Sequence, residues 1–166
     1  MDFSQTIKQS EFVGPCYNDI MNYIKLNDQQ IIISSFKSIK KIDTKLNVYL
    51  DQLLLRDLTT LKGRVDAIKK IYHIDKLTPI YIDNNCCLIP LFNQSYNYNY
   101  YLNIYQIKNI IKEENSSIIH FIDGEKIKVN KKRTLILKQI AKARLIKNNN
   151  WNTELWINKR FINKWF

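Results

Sequence analysis

The sequence predicts an α+β fold: a mixed, mostly antiparallel sheet of hairpins with a central helix and a basic C-terminal helix. Short apolar runs rich in β-branched and aromatic residues are separated by Asn, Asp and Gly turns, which is the pattern of hairpins. Between them, one stretch spaces its apolar residues by three and four, as a helix does. Charge supplies the third observation. From Glu125 to Phe166 there are twelve Lys and Arg against two acids, a net of +10, while residues 1–124 contribute only +1 of the overall +11.

In chain order, Tyr17–Leu26 and Gln29–Ser35 flank Asn27-Asp28 and read as the first hairpin. Asp51 to His73 reads as the central helix, carrying Leu53, Leu54, Leu58, Leu61, Val65, Ile68, Ile71 and Tyr72 on one periodicity, with Gly63 the expected break. Ile80-Tyr81-Ile82 and Cys86-Cys87-Leu88-Ile89 flank Asp83-Asn84-Asn85 as a second hairpin, and Pro90 is expected to close its second strand. Asn93 to Asn103, which alternates Asn and Tyr, reads as a polar loop leading into a strand through Leu102, Ile104, Tyr105 and Ile107. Ser117–Asp123 and Lys126–Asn130 form a third hairpin about Asp123-Gly124, with Lys126 and Lys128 on one face and Ile127 and Val129 on the other.

Thr134 to Lys147 reads as the C-terminal helix, with Thr134 as N-cap. Ile136, Leu137, Ile140, Ala141 and Ala143 share its apolar arc, with Arg144 snorkelling from the arc's end. Lys138, Gln139 and Lys142 are expected opposite. Asn148-Asn149-Asn150 ends it. Residues 1–150 are taken as one domain and 151–166 as a basic, Trp-rich segment holding Trp151, Trp156 and Trp165.

Composition narrows the function classes. No apolar run approaches the roughly eighteen residues of a membrane span, and Met1-Asp2-Phe3-Ser4 lacks the order of a signal peptide, so a cytoplasmic protein is expected. Cys16, Cys86 and Cys87 fit neither a disulfide framework nor a zinc site, His73 and His120 read as half-buried structural histidines, and three separated glycines cannot build a phosphate loop. No cofactor is expected. The clearest acid pair, Glu113-Glu114, would point to opposite sides of a strand. Metal-dependent phosphodiester chemistry would instead need distant acids such as Asp57, Asp66 and Asp83 to converge. The basic stretch lacks the strongly apolar face of a membrane-surface helix. A concentrated basic end does suit nucleic acid.

The order Gly63-Arg64, Pro79-Ile80-Tyr81-Ile82-Asp83, a strand closed by Pro90, Tyr101 to Lys108, Phe121-Ile122-Asp123-Gly124 and then Gln139 resembles the ComK family of bacterial competence transcription factors. The resemblance spans roughly residues 45 to 147. It departs from the family pattern in five places, two of which are the missing Cys usual just before the Tyr101 position and a hairpin before Pro90 that is about two residues shorter. Leu58-Thr59-Thr60 stands where Gly-Ser-Ser is usual, Leu91 stands for a small hydroxyl residue, and Tyr101 for a Trp.

The resemblance implies a transcriptional activator of DNA-uptake genes, not an enzyme, that binds paired A-rich and T-rich boxes of double-stranded promoter DNA largely through the minor groove. Homo-oligomers, RNA polymerase and the nucleoid are its implied associations. Combined with the charge pattern, it makes Lys126, Lys128, Lys131, Lys132, Arg133, Lys138, Lys142, Arg144 and Lys147 the expected phosphate contacts. Arg133, Arg144 and then Arg64 are the candidates for insertion into a narrow A·T minor groove. A competing reading from the residues alone is a single-stranded nucleic-acid or RNA module without sequence choice, in which Tyr98, Tyr100 or Trp156 would stack on bases.

Overall fold

An unbroken apolar run, Cys86-Cys87-Leu88-Ile89-Pro90-Leu91, forms the strand around which the layers assemble, and every residue in it is buried. Side chains of a strand alternate between its faces, so a run with no polar member must be covered on both sides. The computed structural model, which describes residues 20–27, 30–36, 38–92 and 99–146, shows what covers it.

The strands are β1 (Met21–Asn27), β2 (Gln30–Ser35), β3 (Ser38–Ile42), β4 (Ile80–Asp83), β5 (Cys86–Leu91), β6 (Asn99–Asn103), β7 (Ile107–Lys112), β8 (Ser117–Phe121) and β9 (Lys126–Val129). The helices are α1 (Leu46–Leu54), α2 (Leu61–Tyr72) and α3, described over 133–146, with short 3₁₀ turns at Leu55–Asp57 and Ile104–Gln106. Six strands make one antiparallel sheet in the order β3-β2-β1-β6-β5-β4, and three make a second in the order β7-β8-β9. The expected α+β class is the observed one.

Alternation along β5 sorts the two cores. Cys86 and Leu88 join Met21, Ile24, Ile31, Ile33, Leu50, Leu53 and Leu54 beneath α1. Cys87, Ile89 and Leu91 face the other way, against Ile110, Ile119, Phe121 and Val129 of the small sheet and Ile136, Ile140 and Ala143 of α3. The large sheet is therefore the middle layer, with α1 on one face and the small sheet with α3 on the other. The adjacent thiols of Cys86 and Cys87 are not joined in a disulfide and lie on opposite faces, and burial pushes the Cys86 thiol well above its usual range.

Several boundaries differ from expectation. β3 had no alternating signal, because Lys40 and Lys41 interrupt its short apolar pattern. The central helix begins earlier, at Leu46, and breaks at Leu58-Thr59-Thr60 rather than at Gly63. The physical cause of the break is a pair of caps. Thr60 Oγ1 accepts from Gly63 N at 3.1 Å and Asp51 Oδ1 accepts from Leu61 N at 2.7 Å, satisfying two of the N–H groups that open α2. Leu58 ends the preceding turn at φ 54, in the left-handed region, with its side chain 96% exposed.

Pro90 does not close its strand; β5 continues to Leu91. Pairing with β4 stops at Leu88, so beyond it β5 keeps only β6 as a neighbour and can accommodate a residue without an N–H. The polar loop expected up to Asn103 gives way at Asn99 to β6, which pairs with both β1 and β5, and the expected strand through Ile104 and Tyr105 is a 3₁₀ turn. Part of that loop, residues 93–98, lies outside the described residues, as do Tyr17–Asp19 of the first hairpin. His73 is exposed and ends α2 at φ 54, while His120 is partly buried on β8.

Asn103 fixes the passage from the large sheet to the small one. It is fully buried, its Nδ2 donates to Met21 O at 2.8 Å and to Asn85 O at 2.9 Å, and its Oδ1 accepts from Cys87 N and Tyr105 N, each at 3.3 Å. Both donors and both acceptor sites of the amide are thus used.

Candidate nucleic-acid interface

The basic hairpin is held before it can present anything. Gly124 adopts φ 93 in a turn closed by Gly124 N donating to Phe121 O, a backbone state that favours glycine. That turn carries Asp123 and Glu125 onto the large sheet. Tyr23 Oη donates to Glu125 Oε1 at 2.7 Å, Asn22 Nδ2 donates to Glu125 Oε2 at 3.1 Å and to Asp123 Oδ2 at 2.6 Å, and Ser34 Oγ donates to Glu125 Oε2. Burial and the adjoining Glu125 carboxylate push the Tyr23 hydroxyl up, which keeps it a donor. This acid clasp had no signal in the sequence beyond two carboxylates beside a turn glycine.

Downstream of β9, Ser117 Oγ donates to Lys131 O at 2.7 Å and fixes the link to α3. Leu135 N and Ile136 N both donate to Lys132 O, so the helix opens at Arg133, and Thr134 lies in its first turn rather than capping it. Its buried stripe is Ile136, Gln139, Ile140, Ala143 and Ile146. Gln139 therefore belongs to the covered side, not the opposite one, while Leu137 and Ala141 of the expected apolar arc are exposed. Gln139 Oε1 has no hydrogen-bond partner among the described residues.

With that rotation α3 lies along the free edge of β7, and an open groove of about 410 Å³ runs between them. Ile104, Ile107, Ile110 and Ile140 line it together with Lys108 and Asn109 from β7 and Arg133, Leu137, Ala141 and Arg144 from α3. The helical members recur at spacings of four, four and three, which is one stripe of the helix. Arg133 and Arg144 are eleven residues apart, about 16 Å along the axis at 1.5 Å per residue. At the Arg133 end a second hollow adds Lys112, Lys132 and Thr134, with Glu113 and Glu114. Arg144 is close enough to Tyr105 to oppose, weakly, the upward push that burial gives its hydroxyl.

The sequence-predicted cations divide by place. Arg133 and Arg144 share the groove, Lys132 extends it, and Lys108 and Lys112 join them although charge counting from Glu125 onward overlooked both. Lys108 stood at the end of the Tyr101 to Lys108 motif, the one signal that could have found it. Lys126 and Lys128 are exposed on β9, with Ile127 half-buried and Val129 buried, as expected. Lys128 Nζ lies 2.6 Å from Glu113 Oε2. Its hydrogen bond, with that of Ser116, holds the Glu113 carboxyl below its usual range. Glu113 and Glu114 follow β7 in a turn and are not strand residues.

Lys138 is exposed, Lys131 is partly buried, Lys142 Nζ reaches Lys76 O at 3.4 Å, and Lys147 lies outside the described residues. Arg64 does not line the groove. Its Nη1 donates to Tyr81 O at 3.1 Å and Ile82 O at 3.2 Å, its Nη2 pairs with Asp57 at 2.7 Å, and its side chain is 19% exposed. Of the residues proposed to stack on bases, Tyr100 packs edge-on against Tyr23 at 5.7 Å with Lys25 over its ring, while Tyr98 and Trp156 lie outside the described residues.

A sequence model described as ComK protein matches residues 20–152. The chain belongs to the ComK family. ComK proteins are competence transcription factors and not enzymes, and the match extends the motif-based resemblance upstream through β1, β2 and β3. Comparison with curated proteins and with solved structures gives no match. Among the described residues no helix is long and apolar enough to cross a membrane, and no three His, Cys, Asp or Glu side chains gather as metal ligands would.

Proposed function

We propose that this ComK protein is a sequence-selective activator of competence genes that binds double-stranded, A·T-rich promoter boxes, mainly through the minor groove, with the β7–α3 groove as its DNA interface. The observation that carries the reading is the convergence of Arg133 and Arg144 from α3 with Lys108 from β7 on one open groove. Sixteen or so ångströms between the two arginines matches about five nucleotide steps of 3.4 Å along one strand, so both guanidinium groups can serve one stretch of backbone or minor groove. Lys112 and Lys132 extend the phosphate track, and Lys126, Lys128, Lys131, Lys138, Lys142 and Lys147 supply the surrounding field.

Arg64 is assigned a positioning role instead, since its donors already serve Tyr81, Ile82 and Asp57. Paired boxes call for a symmetric homo-oligomer, RNA polymerase is the further partner of an activator, and the cytoplasmic nucleoid is the place of action.

Binding to a duplex with paired A-rich and T-rich boxes, measured beside a scrambled duplex of equal composition over a range of salt, tests the reading. The boxed duplex is expected to bind at least about tenfold tighter, roughly 1.4 kcal/mol. Arg133→Ala and Arg144→Ala are each expected to lower affinity for both duplexes and to reduce the salt slope by about one. Equal, salt-sensitive binding to both duplexes overturns sequence selection, and no binding to either overturns the DNA interface.

A further inference from the structure

The edge strand β7 contains an irregularity at the groove. Ile107 pairs with Phe121 and Asn109 with His120, so Lys108 is an extra residue with no partner across the ladder. Such a bulge re-aims side chains. Lys108 and Asn109, which a regular strand would send to opposite faces, are both exposed and both line the groove.

Asn109 differs from every other polar group there. Its Oδ1 accepts from the N–H of Ile110 at 2.8 Å, which sets the orientation of the amide and leaves Nδ2, with its two donors, without a partner among the described residues. The groups around it are Lys108 beside it, Arg133 and Arg144 along α3, and His120 and Lys126, which continue its row across the small sheet. An exposed amide showing only donors, set among cations that would grip phosphates, is suited to a nucleic-acid edge that shows only acceptors.

In the minor groove A·T and T·A pairs present acceptors alone, whereas G·C adds the guanine N2 amine, a donor. The bidentate contact of an asparagine with adenine in the major groove needs both oxygen and nitrogen, and here the oxygen is turned onto the backbone. We propose that Asn109 is the base-reading residue of the groove, its Nδ2 donating to the acceptors on the minor-groove edge of A·T pairs and clashing with the guanine N2 amine, itself a donor. The proposal rests on the DNA-binding reading above. It assigns discrimination to Asn109 and affinity to the cations beside it.

Three duplexes separate these roles: one with A·T at the box positions, one with G·C there, and one with inosine·cytosine, which lacks the minor-groove amine while keeping the major-groove edge of G·C. The wild-type protein is expected to bind the inosine duplex within about threefold of the A·T duplex and the G·C duplex at least about tenfold more weakly. Asn109→Ala should reduce the A·T over G·C ratio to within about threefold, with an unchanged salt slope. Asn109→Asp, which keeps the acceptor for Ile110 and so the local fold, should lose the same ratio while binding all three duplexes more weakly. Arg133→Ala should weaken all three and keep the ratio.

An unchanged ratio in both Asn109 variants overturns the proposal while leaving the DNA interface intact. So does an inosine duplex that behaves like G·C, which would move the readout to the major groove. Absence of binding by the wild-type protein to any duplex overturns both readings together.

Discussion

The two faces of the large sheet carry different kinds of polar residue. On the α1 and α2 side and along the sheet itself, the polar side chains that shape the fold are answered within the protein. Asn103 uses all four of its hydrogen-bonding sites, Arg64 serves two carbonyls and a carboxylate, and Asp51 and Thr60 cap α2. On the small-sheet side, Lys108, Asn109, Arg133 and Arg144 line an open groove. Charge alone is therefore a poor guide to an interface. Arg64 and Arg133 are the same residue type, and only their surroundings give one an architectural task and the other an outward one.

Substitutions test this contrast, and the largest effect is expected at Asn103. Asn103→Leu would leave Met21 O, Asn85 O, Cys87 N and Tyr105 N without their partner in a buried site, a loss of about 3 kcal/mol read from urea denaturation. A variant as stable as the wild type would show that the passage between the sheets does not depend on this amide.

Arg64→Ala comes next, at about 1–2 kcal/mol, with the Asp57 pair discounted because Asp57 is 45% exposed. Its DNA salt slope is expected to equal the wild type's, in contrast to the Arg133 and Arg144 variants. A slope reduced by about one would return Arg64 to the interface.

Smallest, and of opposite sign, is Leu58→Gly. Leu58 holds φ 54 with its side chain 96% exposed, so glycine removes left-handed strain without opening a cavity and should stabilise by about 1 kcal/mol. A rise in the thermal midpoint with unchanged DNA affinity is the expected result, and a fall would show that the leucine packs against something outside the described fold. The family's usual Gly at this position is consistent with the backbone observed here.

Much of the fold was legible because its signals are local. The β4–β5 and β8–β9 hairpins are marked by Asp-Asn-Asn and Asp-Gly, and α3 by its apolar spacing. β6 was hidden because its tyrosines, half-buried rather than aliphatic, resemble the Asn and Tyr run before them. Gln139 was placed on the wrong side of α3 because a polar side chain reads as solvent-facing, although the family motif included it. Leu58-Thr59-Thr60 broke the central helix instead of Gly63 because capping by Thr60 and Asp51 outweighs the modest helix cost of one glycine.

The candidate site was legible only as charge. Arg133 and Arg144 were named from the sequence, and their shared stripe follows from helical spacing. Lys108, Lys112 and Asn109 depend on the bulge in β7 and on α3 lying along that edge, neither of which any local pattern encodes.

The Glu125 clasp couples the two sheets. A carboxylate accepting from Tyr23, Asn22 and Ser34 ties the turn of the small sheet to β1 and β2, elements about a hundred residues away in sequence. The core between the sheets is shared as well, from Tyr23 and Leu102 to Phe121 and Ile136. Neither sheet can therefore open without exposing surface that belongs to the other, and the groove is expected to open together with both rather than as a detachable arm.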